Sequence, residues 1–117
     1  MKRFSAKLLF QYRVEIEGDS GRFRTVEERI VTTHSPDARS ALETFKHAAH
    51  EDESSYLNDE GNRVYIEFVG IVDMMELGLV CGESDVWYDI RTMLTPMERK
   101  AQLIPDESVM LARIGRP

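Results

Sequence analysis

Apolar and polar residues alternate from Ala6 to Ile16. Ala6, Leu8, Phe10, Tyr12, Val14 and Ile16 fall on one side, and Lys7, Gln11, Arg13, Glu15 and Glu17 on the other, with Leu9 the exception. A period of two predicts a half-buried strand. The run GDSG at 18–21 is turn chemistry, because Gly and Asp tolerate positive φ or bond their own backbone. A second strand, rich in Thr, Val, Ile and Phe, is expected over about 22–33, making a hairpin with the first. Its alternation breaks at Glu27 and Glu28, which predicts a bulge or an edge position there.

The period then changes. In THSPDARSALETFKHAAH, Ser35 suits an N-cap, Pro36 the first helical position and Asp37 the positive end of the dipole. Ala38, Ala41, Leu42, Phe45 and Ala49 recur at spacings of three and four and form one apolar stripe. SSYLNDEGN reads as a loop with a turn at Gly61. Residues 63–72, RVYIEFVGIV, are apolar on both faces except at Glu67 and read as a central strand, with Gly70 at a bulge or a close approach. Another strand is expected near Val86–Ile90. TPMERKAQLIP carries a capping box, Thr95 with Glu98, that opens a helix of about two turns closed by Pro105. The tail from 106 onward is expected to dock as a further short element. The order β-β-α-β-β-α predicts one α+β domain over 1–117. Its sheet is mostly antiparallel, of about four strands, with one main helix and a short C-terminal helix, the helices lying on one face.

Composition narrows the chemistry. At 117 residues the chain fits one domain, and its 42% hydrophobic and 31% charged content is that of a globular protein. No window supplies the run of about eighteen apolar residues that a membrane span needs. The start, MKRFSAKLLF, is too short in its apolar run for a signal peptide. Cys81 is the only cysteine, so no internal disulfide forms, and a lone thiol fits a reducing cytoplasm. Acidic neighbours Glu83 and Asp85 disfavour its thiolate.

The net charge of −6 is unevenly spread: residues 30–96 hold four basic side chains against thirteen acidic ones. An acidic middle repels nucleic-acid phosphate and anionic membrane and attracts basic protein surfaces. It also favours solubility alone. The basic and aromatic residues of QYR and RFRTVEER are interleaved with glutamates and form no nucleic-acid stripe.

His47 and His50 share a helix face with Glu51, a set that could in principle bind zinc. The run HAAHE lacks the H-E-x-x-H order. The face also lies mostly outside the apolar stripe, so these side chains are expected in solvent with no metal. No serine sits in a G-x-S-x-G setting and no phosphate-binding glycine loop is present, so no catalytic residue and no cofactor is expected.

In SDVWYDIR, Trp87 and Tyr88 are adjacent, so a strand points them to opposite faces and at most one enters a core. Either both are covered, or one is an exposed aromatic flanked by Asp85 and Asp89, as suits a protein-binding anchor. The expected contact patch joins Trp87 or Tyr88, Asp85 and Asp89 to Glu51, Asp52, Glu53, Asp59 and Glu60, and its partner is a basic protein.

FSAKLLFQYRVE, EERIV, YLNDEGNRVYIEFVGIVDMMEL and VWYDIR, in this order over about residues 4–104, resemble the bacterial family known as domain of unknown function 4288. The resemblance implies a small stand-alone cytoplasmic α+β protein and carries over no catalytic residue. Small families of this kind accompany toxin or secretion genes, which makes an immunity role against a basic, nuclease-like toxin an expectation by association. The competing expectations are a small enzyme working through His47, His50 and acidic residues, and an oligomerising scaffold module.

Overall fold

The computed structural model describes residues 1–77 and 88–114, the side chains of 88–90 excepted. Its elements are β1 (Lys2–Glu15), β2 (Phe23–Ser35), α1 (Ala38–Glu51), β3 (Ser54–Leu57), β4 (Arg63–Leu77), β5 (Tyr88–Leu94), α2 (Lys100–Leu103) and α3 (Glu107–Ile114). The strands form one five-stranded sheet in the order β3-β4-β1-β2-β5, and every pairing is antiparallel. The α+β class and the antiparallel sheet are as the periodicity implies.

The fifth strand is β3, which the sequence read as loop. It forms because the turn after it closes tightly. Asn58 Oδ1 accepts the amides of Glu60 (3.0 Å) and Asn62 (2.9 Å), and Gly61 takes the positive φ (81°) that reverses the chain.

On β1, Phe4, Ala6, Leu8 and Phe10 are buried under Ala41, Leu42, Phe45 and Ala49 of α1 and Met110 of α3. The stripe predicted on α1 is therefore the face that packs. The helix starts later than expected. Ser35 remains the last residue of β2, paired with Lys2 and buried, so it is spent on the sheet. Asp37 is the N-cap instead, its carboxylate accepting the Ser40 amide at 2.8 Å.

The opposite face, expected to be polar, is also closed. Leu9, Val26 and Val69 are buried there beneath Met93, Met97 and Ile104, so the helices and their connections cover both faces rather than one. Gly70 makes this possible. A Cβ at that position would stand 2.9 Å from Ile104 Cδ1, so the expected close approach is real. Two register shifts between β1 and β4 flank it, at Lys7/Leu8 and Leu9/Phe10.

No such shift occurs at Glu27 and Glu28, where the predicted bulge is absent: Leu9 pairs with Glu28 and Phe10 with Glu27 in an unbroken ladder. The alternation fails there for an electrostatic reason. Both carboxylates are buried and paired, Glu27 with Arg29, and Glu28 with Arg91 and Lys7.

Closing the second face buries Gln11, and a polar chain satisfies it. Gln11 donates to Glu67 at 2.9 Å and accepts from Arg24 at 3.2 Å. Glu67 is held by Arg13 in a two-point contact of 2.8 and 3.2 Å, and Arg13 lies 4.3 Å over the Tyr65 ring. Arg24 in turn grips Glu98 at 2.8 and 2.9 Å. This corrects the expected capping box: Glu98 is drawn to Arg24 instead of the Thr95 amide, Thr95 has φ 33°, and α2 is a single turn behind Arg99. Among the described residues no buried side-chain nitrogen or oxygen lacks a partner.

Gly70→Ala should destabilise the protein by about 1–3 kcal/mol through overpacking against Ile104. Adding Ile104→Ala should recover part of that loss, so a urea melt of the double variant closer to wild type than the sum of the singles is the expected result.

The hydrogen bonds from Arg13 hold the Glu67 carboxyl below its usual range of about 4.5, against an opposing effect of burial. A carboxyl lowered on folding adds stability that is full above its unfolded value and is lost as pH falls through the folded one. The stability gap between wild type and Glu67→Gln should therefore narrow between about pH 5.5 and pH 3. Urea melts at several pH values measure it, and a gap that is constant across the range contradicts the assignment.

Candidate functional site

The last turn of α1 and the strand after it carry the acids singled out by the sequence. With the apolar stripe turned to the sheet, His47 and His50 face solvent, as their helical position implies, with side chains 79% and 60% exposed. Each is held by its own carboxylate, His47 by Glu51 at 3.0 Å and His50 by Glu53 at 2.9 Å. The His50 ring also meets Phe68 edge-on, 5.2 Å between centroids. Among the described residues no group of three or more His, Cys, Asp or Glu side chains gathers where it could hold a metal ion.

Three consecutive acids do three different things. Glu51 meets its histidine at the surface. Asp52 reaches Arg29 on β2 at 3.5 Å. Arg29 lies 4.4 Å over Phe10 and binds Glu27, which also accepts the Tyr12 hydroxyl at 3.3 Å. Burial, and then the charge of Glu27, raise the Tyr12 phenol above its ordinary value. Glu53 turns inward to the sheet edge, where its carboxylate accepts the Phe68 amide at 3.0 Å. That bond takes the place of the next rung of the β3–β4 ladder.

Beyond these acids all four residues of β3 are exposed, including Tyr56 (46%) and Leu57 (60%). Asp59 and Glu60 lie in the turn that follows. Carboxylates thus stand at both ends of an exposed outer strand. On the α1 face of the sheet, past the end of the helix, Tyr12, Val14, Phe23, Tyr56 and Val64 line a shallow groove of about 300 Å³.

Tyr88 and Asp89 are elsewhere. They begin β5, the other outer strand, where Tyr88 pairs with Arg29 and Asp89 with Glu28. Four strand spacings, roughly 19 Å, separate β5 from β3. The expected patch is therefore divided. Glu51, Asp52, Glu53, Asp59 and Glu60 gather along the β3 edge; Tyr88 and Asp89 do not join them, except that Asp52 reaches the Arg29 beside Tyr88. Trp87, Asp85 and Cys81 lie outside the described residues.

The exposed aromatic on the acidic edge is Tyr56, which sequence reasoning missed. Its signal was present: a Tyr-Leu pair bracketed by acids. A strand of four residues shows too little alternation to be told from a loop.

The first 87 residues decide the relationship to known proteins. The family model described as Domain of unknown function (DUF4288) matches residues 3–87. The chain belongs to this family. The match ends before the 104 that the sequence motifs suggested, so the α2–α3 region lies outside it. Neither the curated proteins nor the solved structures include a match to the chain. In this DUF4288 protein, no helix among the described residues is long and apolar enough to cross a membrane.

The different tasks of neighbouring acids are measurable. Glu53→Ala should cost about 1 kcal/mol of stability by leaving the Phe68 amide unbonded, with Glu53→Gln retaining part of it. Glu51→Ala should change stability by less than about 0.5 kcal/mol, as exposed pairs do. Equal losses from the two alanine variants in urea melts contradict this division.

Proposed function

We propose that this protein is a protein-binding domain whose partner is basic, and that it acts in the bacterial cytoplasm as an immunity protein against a nuclease-like toxin. The observation that carries the reading is the acidic edge. Five carboxylates lie between residues 51 and 60, no Lys or Arg falls between Lys46 and Arg63, and the strand they bracket exposes Tyr56 and Leu57.

Such a surface suits inhibition of a basic enzyme. A nuclease needs positive charge to hold phosphate, and complementary carboxylates speed its capture while an apolar anchor slows release. Tyr56 is the anchor this edge supplies. Tyr88 and Asp89, with Trp87 and Asp85 near them in sequence, would serve a separate contact on the other edge.

An enzyme built on His47 and His50 has less support. Each imidazole is committed to a carboxylate at the surface, and the groove on this edge is lined by other residues.

The test is affinity for the partner isolated from the producing cells, titrated from about 50 to about 500 mM salt, a roughly threefold change in Debye length. A basic partner that binds about tenfold or more weakly at high salt is expected, since several charge contacts are screened together. Affinity that does not move overturns the acidic-edge reading. The double substitution His47→Ala with His50→Ala separates the alternatives. If it abolishes the cellular phenotype at unchanged melting temperature and unchanged affinity, the catalytic reading replaces the binding one.

A further inference from the structure

The outward side of β3 can be described group by group. The Asn58 amide bonds the Asn62 carbonyl at 2.9 Å, and this sets the phase of the ladder. Bonded and non-bonded residue pairs alternate along antiparallel strands. Tyr56 and Ser54, opposite Val64 and Ile66, therefore spend their backbone groups on β4. The N–H and C=O groups of Ser55 and Leu57 point the other way. Phe68 obeys the same phase, since its amide points to this edge and finds the Glu53 carboxylate.

Of the usual protections of an outer strand, this one has its shortness, four residues, and the charges near its ends. It has no proline, no bulge interrupts its pairing, and its four residues are all exposed. Carboxylates stand towards its two ends, and Arg63 of β4 donates to the Ser55 hydroxyl at 3.1 Å on the sheet face opposite Tyr56. Resting on the acidic-edge reading and specifying how it works, we propose that β3 accepts a further strand from a cationic protein partner, paired through the backbones of Ser55 and Leu57.

The occupant follows from charge and register. In an antiparallel pairing of β3 with a second copy of this chain, centred on Tyr56, Glu53 would meet Asp59 and Asp52 would meet Glu60, so like charges oppose self-pairing. A strand with Lys or Arg towards both ends meets carboxylates at both. A β-branched residue at its centre lies beside Tyr56, at the mouth of the groove formed with Val14, Phe23 and Val64. Backbone pairing then supplies affinity and the flanking charges supply selection, as in other strand additions.

Amide hydrogen exchange on the full chain tests this, with the blocked peptide Lys-Arg-Val-Thr-Val-Lys-Lys as probe at about 50 mM salt. Exchange at the Ser55 and Leu57 amides should slow about tenfold or more once they donate to a new strand, with those of Ser54 and Tyr56 little changed. The same peptide N-methylated along its bonding edge should lose the effect. Ser55→Pro should block docking yet keep the fold, because the amide it removes is not used in the ladder. If that variant does not fold, the N-methylated peptide still decides.

Peptide binding that perturbs Glu51–Glu60 without slowing Ser55 and Leu57 overturns strand addition and leaves the acidic-edge reading intact. No binding at all overturns both. Protection that rises with protein concentration in the absence of peptide identifies a second copy as the occupant and overturns the cationic partner.

Discussion

Two-sided burial of β1 is the constraint from which most of the architecture follows. Its even positions carry Phe4, Ala6, Leu8 and Phe10 into the core beneath α1 and α3, and its odd positions carry Leu9 and Gln11 beneath the segment that contains Met93, Met97 and Ile104. A glutamine with both polar atoms out of water is costly unless each is bonded. Glu67 and Arg24 therefore have to converge on it, and Arg24 in turn fixes Glu98 and the start of the C-terminal region. The local structure of residues 95–103 is in this sense set by Arg24, on the neighbouring strand β2 and 74 residues from Glu98 in sequence.

Gly70 belongs to the same constraint. β4 is apolar on both sides because both sides are covered, and the lack of a side chain at 70 lets Ile104 reach the strand backbone. The register shifts on either side of Gly70 adjust the pleat so that Phe68 and Ile71 enter the α1 core while Val69 enters the other. Charged residues inside this frame are handled by pairing. Glu27 and Glu28 are adjacent, face opposite sides of the sheet, and each has its own arginine.

The outer strand β3 departs from this plan. It covers only the first residues of β4, and the carboxylate of Glu53 ends its ladder by capping Phe68. The acids of 51–53 are therefore partly structural. Glu53 holds the edge, Asp52 ties the end of α1 to β2, and Glu51 stays in solvent with His47. An edge bracketed by charge discourages pairing with its own kind and favours an oppositely charged strand. Under the proposed reading, one arrangement accounts for both restraint and recruitment.

The elements with long periodic runs were legible from residues alone. The alternation on β1, the stripe Ala41–Leu42–Phe45–Ala49 and the continuous apolar run of β4 each reflect a repeat imposed by one backbone geometry, and so does the α+β class they compose. The close approach at Gly70 was also legible, because a glycine inside a strand has few other uses. What needed the tertiary structure was every choice between partners. Ser35 and Asp37 are both good caps, and only the length of the β1–β2 ladder assigns the role to Asp37. Glu98 suits a capping box, and only the arrival of Arg24 removes it. Glu27 and Glu28 look like a break in a strand until their arginines are in place. The acids of 51–60 and Tyr88 with Asp89 carry the same charge signature in sequence. Strand order alone puts them on opposite edges, because pairing between distant strands leaves no local periodicity to read.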